Sequence, residues 1–221
     1  MVNVFCGYDE RESVGFHVFL SSLLRRSSGP VRIVPLGSKG LAQGSNTFTL
    51  SRFLVPELMG YRGHAIFVDA CDMLMQADVA ELDALFDPRY AVQVVQHPPY
   101  STRHPLKYRG TGMVAENRDY WRKNWASVML INCEHPGWLV ANARTLRAAN
   151  PLRCLQLQGL SSAEIGVLPN EWNRLVDEGQ PVEGAKILHW TAGIPGFEEC
   201  YSDAPGADLW QAARQVMERA G

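Results

Sequence analysis

Short apolar runs alternating with stretches of helical spacing predict an α/β fold, built on a mainly parallel sheet with helices on both faces. Two observations carry that prediction. Residues 65–68 read A-I-F-V, and residues 127–132 are almost as continuously apolar, the pattern of strands buried on both sides. Between such runs, Phe16, Phe19, Leu20, Leu23 and Leu24 recur at the interval that lines one face of a helix. A third observation sets the scale. With 221 residues, 46% of them apolar, the chain can bury one full core, and a single domain spanning 1–221 is expected.

Taken in order, residues 2–5 form a first strand that runs to Gly7, the helix around Phe16 follows, and 31–36 form a second strand. Residues 49–58 read as a helix, with Pro56 bearing on where it ends, and lead into the strand at 65–68. Asp78 and Glu81, three apart in A-D-V-A-E-L, form an acidic variant of a capping box that starts a short helix through Leu85. Residues 90–96 and 127–132 are further buried strands, 136–149 a helix, 185–190 a last strand and 209–219 a terminal helix. The connection at 97–126 holds three prolines and two glycines; a link of about 30 residues is usually functional or disordered.

Composition narrows the function. A net charge of −2 lacks the broad cationic excess that nonspecific nucleic-acid binding needs, so no nucleic-acid partner is expected. The five cysteines, Cys6, Cys71, Cys133, Cys154 and Cys200, form no C-x-x-C pair, which argues against a disulfide framework and a thiolate zinc site and points to a cytoplasmic home. No run approaches the roughly 20 apolar residues of a membrane span, so any membrane contact is expected to be peripheral.

The most informative segment is A-I-F-V-D-A-C-D-M-L at 65–74, where a buried strand runs into Asp69 and Asp72. Ligands of open α/β sheets gather beyond the carboxyl ends of the strands. Two carboxylates brought together there repel and lose solvation, a cost that a divalent cation offsets. Mg²⁺ and Mn²⁺ take oxygen ligands and share their remaining positions with phosphate. The same spacing also suits aspartates that cap the turn after the strand, and from these residues alone both readings stand.

F-V-D-A-C-D-M-L followed by A-D-V-A-E-L resembles the D-x-D segment and following helix of GT-A-fold glycosyltransferases, particularly the glycogenin and bacterial lipopolysaccharide galactosyltransferase group. Its D-x-x-D spacing is similar to that of collagen-type galactosyl- and glucosyltransferases. The resemblance implies a GT-A-like, Rossmann-type fold: a mixed, mainly parallel central sheet flanked by helices. It implies transfer of a sugar, with retention, from a nucleotide-sugar donor of the UDP-sugar type to a carbohydrate, glycolipid or other hydroxyl acceptor, as in polysaccharide assembly. It also implies Mn²⁺ or Mg²⁺ held by Asp69, Asp72 and His189 against the donor diphosphate, with Ala70 and Cys71 completing the donor-binding turn.

Four further stretches match that group in the same order. F-C-G-Y-D-E-R-E at 5–12 resembles the strand and loop that receive the nucleotide base, with Gly7 allowing close approach, Tyr8 stacking on uracil and Asp9 accepting from the ring N–H. F-T-L-S-R-F-L at 48–54 looks like the helix before the metal strand. Its Arg52, a cation among apolar positions, must reach solvent or an anion and suits diphosphate or donor-sugar hydroxyls. W-A-S-V-M-L-I-N at 125–132 resembles the N-A-G-V-x-L-x-N strand and places Ser127 near the donor sugar, with Trp125 standing in for Asn and Ser127 for Gly. K-I-L-H-W-T-A-G at 186–193 looks like the closing segment, in which His189 is the third metal ligand and Gly193 lets backbone N–H groups meet phosphate.

Two family features are missing. The lysine before the closing Pro-Trp is absent, and Lys186 or an arginine from the long loop is the expected substitute. The D-Q-D before L-P-N-E-W-N at 168–173 is absent too, leaving Gln156, Gln158 and Glu164 as competing candidates for the polar group that faces the anomeric carbon. The aromatic and basic loop at 97–123 suits stacking on acceptor sugars or contact with an anionic acceptor, while its His97 and His104 belong to no closed ligand set. Two other readings accompany the transferase: a nucleotidyltransferase, whose Gly-rich basic loop is here the acidic G-Y-D-E, and a catalytically silent nucleotide-sugar-binding protein.

Overall fold

The computed structural model describes residues 1–37, 41, 46–197 and 200–219. In chain order its strands are β1 Val2–Gly7, β2 Val31–Leu36, β3 His64–Val68, β4 Met73–Met75, β5 Val92–Val94, β6 Leu106–Lys107, β7 Ala115–Glu116, β8 Val128–Asn132, β9 Ile165–Val167, β10 Arg174–Leu175 and β11 Ile187–His189. The α-helices are α1 Ser13–Arg26, α2 Val55–Leu58, α3 Val79–Asp83, α4 Ala143–Leu146, α5 Pro151–Leu155 and α6 Ala207–Arg219. A six-stranded sheet in the order β2-β1-β3-β8-β5-β9 forms the centre. Only β8 runs against its neighbours, so the sheet is mixed and mainly parallel as expected.

The apolar runs become the buried strands. Ala65, Ile66, Phe67 and Val68 of β3, like Val128, Met129 and Leu130 of β8, are sealed from solvent, because both faces of the sheet are covered. On α1, Gly15, Phe16, Val18, Phe19, Ser22 and Leu23 face inward, the three-to-four-residue period of one helix face. Leu24 lies outside that stripe and is exposed. A second apolar cluster joins Val18 of α1 to Leu74, Leu188, Trp190 and Trp210, and so clamps α6 against β4 and β11.

Two expected helices are broken. Residues 49–58 form a 3₁₀ segment, Ser51–Leu54, before the single α turn of α2, with Pro56 in its first turn, where a missing N–H is tolerated. Residues 136–149 divide into a 3₁₀ turn, Pro136–Trp138, and α4, which restarts at the capping box of Asn142 and Thr145. At α3 the Asp78 carboxylate caps Ala80 N at 2.9 Å, whereas Glu81 turns outward to pair with Lys186. Five short strands, β4, β6, β7, β9 and β10, form where none was expected, since two- and three-residue runs carry no readable period.

Strand register sets what meets at the carboxyl edge of the sheet. Cys6 pairs with Val68 across β1 and β3, so the residues following both strands emerge side by side. In the second sheet, of order β10-β11-β4, His189 lies opposite Met73. That register brings the end of β11 beside the turn at 69–72.

Candidate donor and metal site

The turn after β3 is tightly wound and buried. Ala70 sits in the left-handed region at φ 61°, held there by Cys71 N donating to Asp69 O at 2.7 Å and Met73 N donating to Ala70 O at 3.1 Å. Such a conformation costs a non-glycine residue of order 1–3 kcal/mol and persists only where the surroundings impose it. Here α1 imposes it: a Cβ on Gly15 would lie 2.0 Å from the Cys71 carbonyl oxygen, so helix and turn are in backbone contact. The Cys71 thiol donates to Gly7 O at 3.4 Å, which ties the turn to β1.

This turn directs Asp69 and Asp72 toward His189. Side-chain ligand atoms of the three lie within 4.8 Å of one another, and all three residues are buried. Asp72 Oδ2 lies 3.4 Å from His189 Nε2, while the buried Asp72 Oδ1 has no hydrogen-bond partner. His189 Nδ1 meets Asn173 Oδ1 at 2.8 Å, and the Asn173 amide is oriented by donating its NH₂ to Asn124 O at 3.1 Å. Nδ1 is therefore the donor to Asn173, and Nε2 faces the carboxylates, the outer hydrogen bond and ring orientation typical of a metal-ligating histidine. Two carboxylates and an imidazole lone pair, with one buried oxygen unpartnered, fit a divalent cation that accepts oxygen and nitrogen ligands.

Electrostatics agree with that geometry. Burial pushes the Asp69 carboxyl above its usual range, opposed by Arg52. Burial alone would lower the His189 imidazole, but Asp72 and then Asp69 outweigh it and the net shift is upward; a proton and a cation would compete for the same Nε2. Arg52 is itself buried. It pairs with Asp69 Oδ1 at 2.8 Å, donates to Thr49 O at 3.0 Å and Ala126 O at 2.6 Å, and lies 4.9 Å from the Phe67 ring centroid. Ser127 stands beside Asp69, its carbonyl accepting Asp69 N at 2.9 Å. Arg52, Asp69, Asp72, Ser127 and His189 line one polar cavity together with Lys107 and Tyr108.

The remaining expected residues are placed differently. Lys186 does not line the cavity; its ammonium pairs with Glu81 at 2.9 Å and lies over the Trp172 ring, so it is not the substitute cation. Lys107, from the long loop, lines the cavity instead, its pKa lowered by burial against the opposing pull of Asp72, Asp69 and Glu12. Asp9 is fully buried, and both of its oxygens accept hydrogen bonds, from Arg11 at 2.8 and 2.6 Å and from the Thr47 amide at 3.0 Å. Tyr8 packs edge-on against Phe16 at 5.0 Å. Gly7 and Gly193 leave no room for a Cβ, facing Phe48 and Tyr201 at 2.4 and 2.6 Å.

None of the three candidates for the anomeric-carbon position lines the cavity; Leu155 does. Glu164 caps Ser161 through its amide at 2.7 Å and its hydroxyl at 2.6 Å. Gln158 binds Arg153 at 2.9 Å and also donates to Gln156. Sequence reasoning missed Asn173, although it lies within the L-P-N-E-W-N stretch, and Glu12, a buried carboxyl with neither oxygen partnered, its pKa raised well above normal by burial and by Asp72. A separate apolar cavity between Phe53, Trp138, Leu146 and Leu160 presents no carboxylate, histidine or basic side chain.

No protein-family model matches the chain. Protein CDI of Arabidopsis thaliana is 39% identical over 223 residues, an alignment covering 94% of this chain and 83% of that protein. The chain belongs to the Protein CDI family. Solved structures place this family member in a known fold. The galactosyltransferase LgtC, solved in complex with donor and acceptor sugar analogs, superposes with a TM-score of 0.62 at 13% identity, over 97% of this chain and 96% of LgtC. The glycosyltransferase GlyE of Streptococcus pneumoniae TIGR4 gives a TM-score of 0.64 at 13% identity over 99% of this chain and 62% of GlyE. The WbbM bifunctional glycosyltransferase gives 0.66 at 13% identity over 99% of this chain. The chain spans 51% of the length of WbbM. The fold is therefore the GT-A glycosyltransferase fold, and the Asp69–Asp72 pair falls at the carboxyl edge of its central sheet. Among the described residues, no helix is long and apolar enough to cross a membrane.

Proposed function

We propose that this chain is a metal-dependent glycosyltransferase that moves a sugar from a UDP-sugar to the hydroxyl of a saccharide or glycolipid acceptor, with retention at the anomeric carbon. The observation that carries the reading is the buried Asp69–Asp72–His189 cluster, whose ligand atoms converge within 4.8 Å at the carboxyl edge of the sheet, where phosphorylated ligands of α/β proteins gather.

In this reading Asp69, Asp72 and His189 would hold Mn²⁺ or Mg²⁺, which when bound supplies a Lewis acid to the donor diphosphate. Asn173 accepts the proton of Nδ1 and so aims Nε2 of His189 at the carboxylates. Arg52 fixes the Asp69 carboxylate and adds positive charge at the cavity wall, and Lys107 offers a second cation to the leaving diphosphate. The bond from the anomeric carbon to the diphosphate oxygen breaks, the acceptor oxygen bonds to that carbon from the same face, and the acceptor proton passes to the departing phosphate. Ser127 borders the sugar. Gly193 brings backbone close to the phosphates.

Leu155 favours a second reading, since an apolar side chain lines the cavity where a polar group facing the anomeric carbon was expected: a protein that binds a nucleotide sugar without turning it over. Release of UDP from UDP-glucose and UDP-galactose separates the two. The transferase reading expects release that requires Mn²⁺ and is lost in Asp72→Ala. Metal-dependent UDP binding without release, across donors and sugar acceptors, would select the binding protein.

A further inference from the structure

The segment just before β8 carries a feature that the donor site does not use. Trp121 has 55% of its surface open to solvent. The guanidinium of Arg122 lies 4.0 Å from its ring centroid and 5.1 Å from that of Trp125. Arg122 is buried and donates to the carbonyls of Gln156 and Leu157 at 3.0 and 3.4 Å and to Ser162 Oγ at 3.1 Å. The Trp125 indole donates to His97 O at 2.9 Å. Arg122, Asn124 and Leu157 all adopt left-handed backbone, at φ 57°, 62° and 53°, which non-glycine residues keep only where the surroundings hold them.

A large apolar ring is thus displayed to water on a support locked from below. The support is joined to the donor cavity, because Tyr120 and Asn124 on either side of the pair, and Leu155 beside Gln156, all line it. We propose that Trp121 is the platform of an acceptor-saccharide subsite and stacks on the C–H face of a pyranose ring; this rests on the transferase reading. An indole combines a broad apolar face with a polar edge, as a sugar does, and a ring already fixed by Arg122 loses little freedom on binding. Its exposed chain neighbours Arg118 and Asp119 are charged, unlike the contiguous apolar patch of a membrane or protein contact.

The test uses the full chain labelled with 6-fluorotryptophan, the Trp121 resonance being assigned by its loss in Trp121→Phe. Methyl β-D-galactopyranoside, methyl β-D-glucopyranoside and methyl α-D-mannopyranoside are titrated in the presence of UDP and Mn²⁺. The expected result is a saturable shift of the Trp121 resonance with at least one glycoside, while the buried Trp190 and Trp210 stay in place. If UDP and Mn²⁺ bind but no glycoside moves Trp121, the platform is overturned and the donor site stands. A response to phosphatidylcholine–phosphatidylglycerol vesicles but not to the glycosides assigns the indole to a membrane and likewise overturns it. A response to glycoside when UDP fails to bind supports the platform and removes the donor reading instead.

Discussion

The turn at 69–72 and the segment at 120–125 border the same cavity, yet they are held in different ways. The turn hangs between β3 and β4, strands of two separate sheets whose residues are almost all buried and apolar, and its position follows from strand register. The segment belongs to no ladder until β8 begins. It is fixed by a guanidinium bonded to carbonyls and by residues in left-handed backbone. One half of the site is thus built from hydrophobic burial, the other from hydrogen bonds that only the finished fold can make.

The sharpest way to break that contrast compares the two buried arginines. Arg52→Ala leaves the Asp69 carboxylate buried without its cation and is expected to cost about 3–5 kcal/mol. Arg122→Ala removes bonds to neutral carbonyls and a hydroxyl and is expected to cost about 1.5–3 kcal/mol. Urea unfolding of both variants checks the order; a larger loss for Arg122 would mean that the loop, not the ion pair, anchors the cavity. Next in size, Asn173→Ala removes the acceptor that fixes the His189 tautomer and is expected to weaken Mn²⁺ binding about 10–100-fold, measured by displacement of a fluorescent chelator. An unchanged affinity would show that Nδ1 needs no partner.

Gly15→Ala probes the turn from the other side. The added methyl meets the Cys71 carbonyl, and the forced displacement of helix from turn is expected to cost roughly 1–3 kcal/mol, read as a lower thermal midpoint. The same change at exposed Gly112, which has no neighbour within 4 Å, is the control. A pH effect concerns His97, at the root of the loop. Burial lowers its pKa from 6.5 to about 3, so the unfolded chain takes up its proton first as the pH falls. The stability that neutral His97 contributes is present above about 6.5 and drains away toward about 3. His97→Gln should flatten the pH dependence of stability over that window, and an unchanged slope would place the titrating group elsewhere.

The same contrast explains what the sequence allowed to be read. Asp69 and Asp72 stand out because they follow an apolar run, and burial of such a run needs no tertiary knowledge; their reading as metal ligands together with His189 comes from the family resemblance, since the residues alone also suit a capped turn. Arg52 was recognisable as a cation out of place among apolar neighbours, although its partner is Asp69, not solvent. Asn173 was not, because its bond to His189 exists only once β10 and β11 pair. Lys107 lies on the two-residue strand β6 and Trp121 in irregular backbone, where no period predicts direction, while Lys186, the more obvious cation by proximity to His189 in the chain, is drawn off by Glu81 on α3. The helices expected at 49–58 and 136–149 had the right apolar spacing, yet in both the chain takes up 3₁₀ turns that the spacing cannot distinguish.

The most direct test of the central claim is calorimetric titration of UDP into the purified chain with and without Mn²⁺, for the wild type, Asp72→Ala and His189→Ala. A metal-diphosphate site formed by Asp69, Asp72 and His189 predicts UDP binding that requires Mn²⁺ and disappears in both variants. Binding of equal strength without metal and in both variants would contradict it, and would leave the buried cluster as a structural turn.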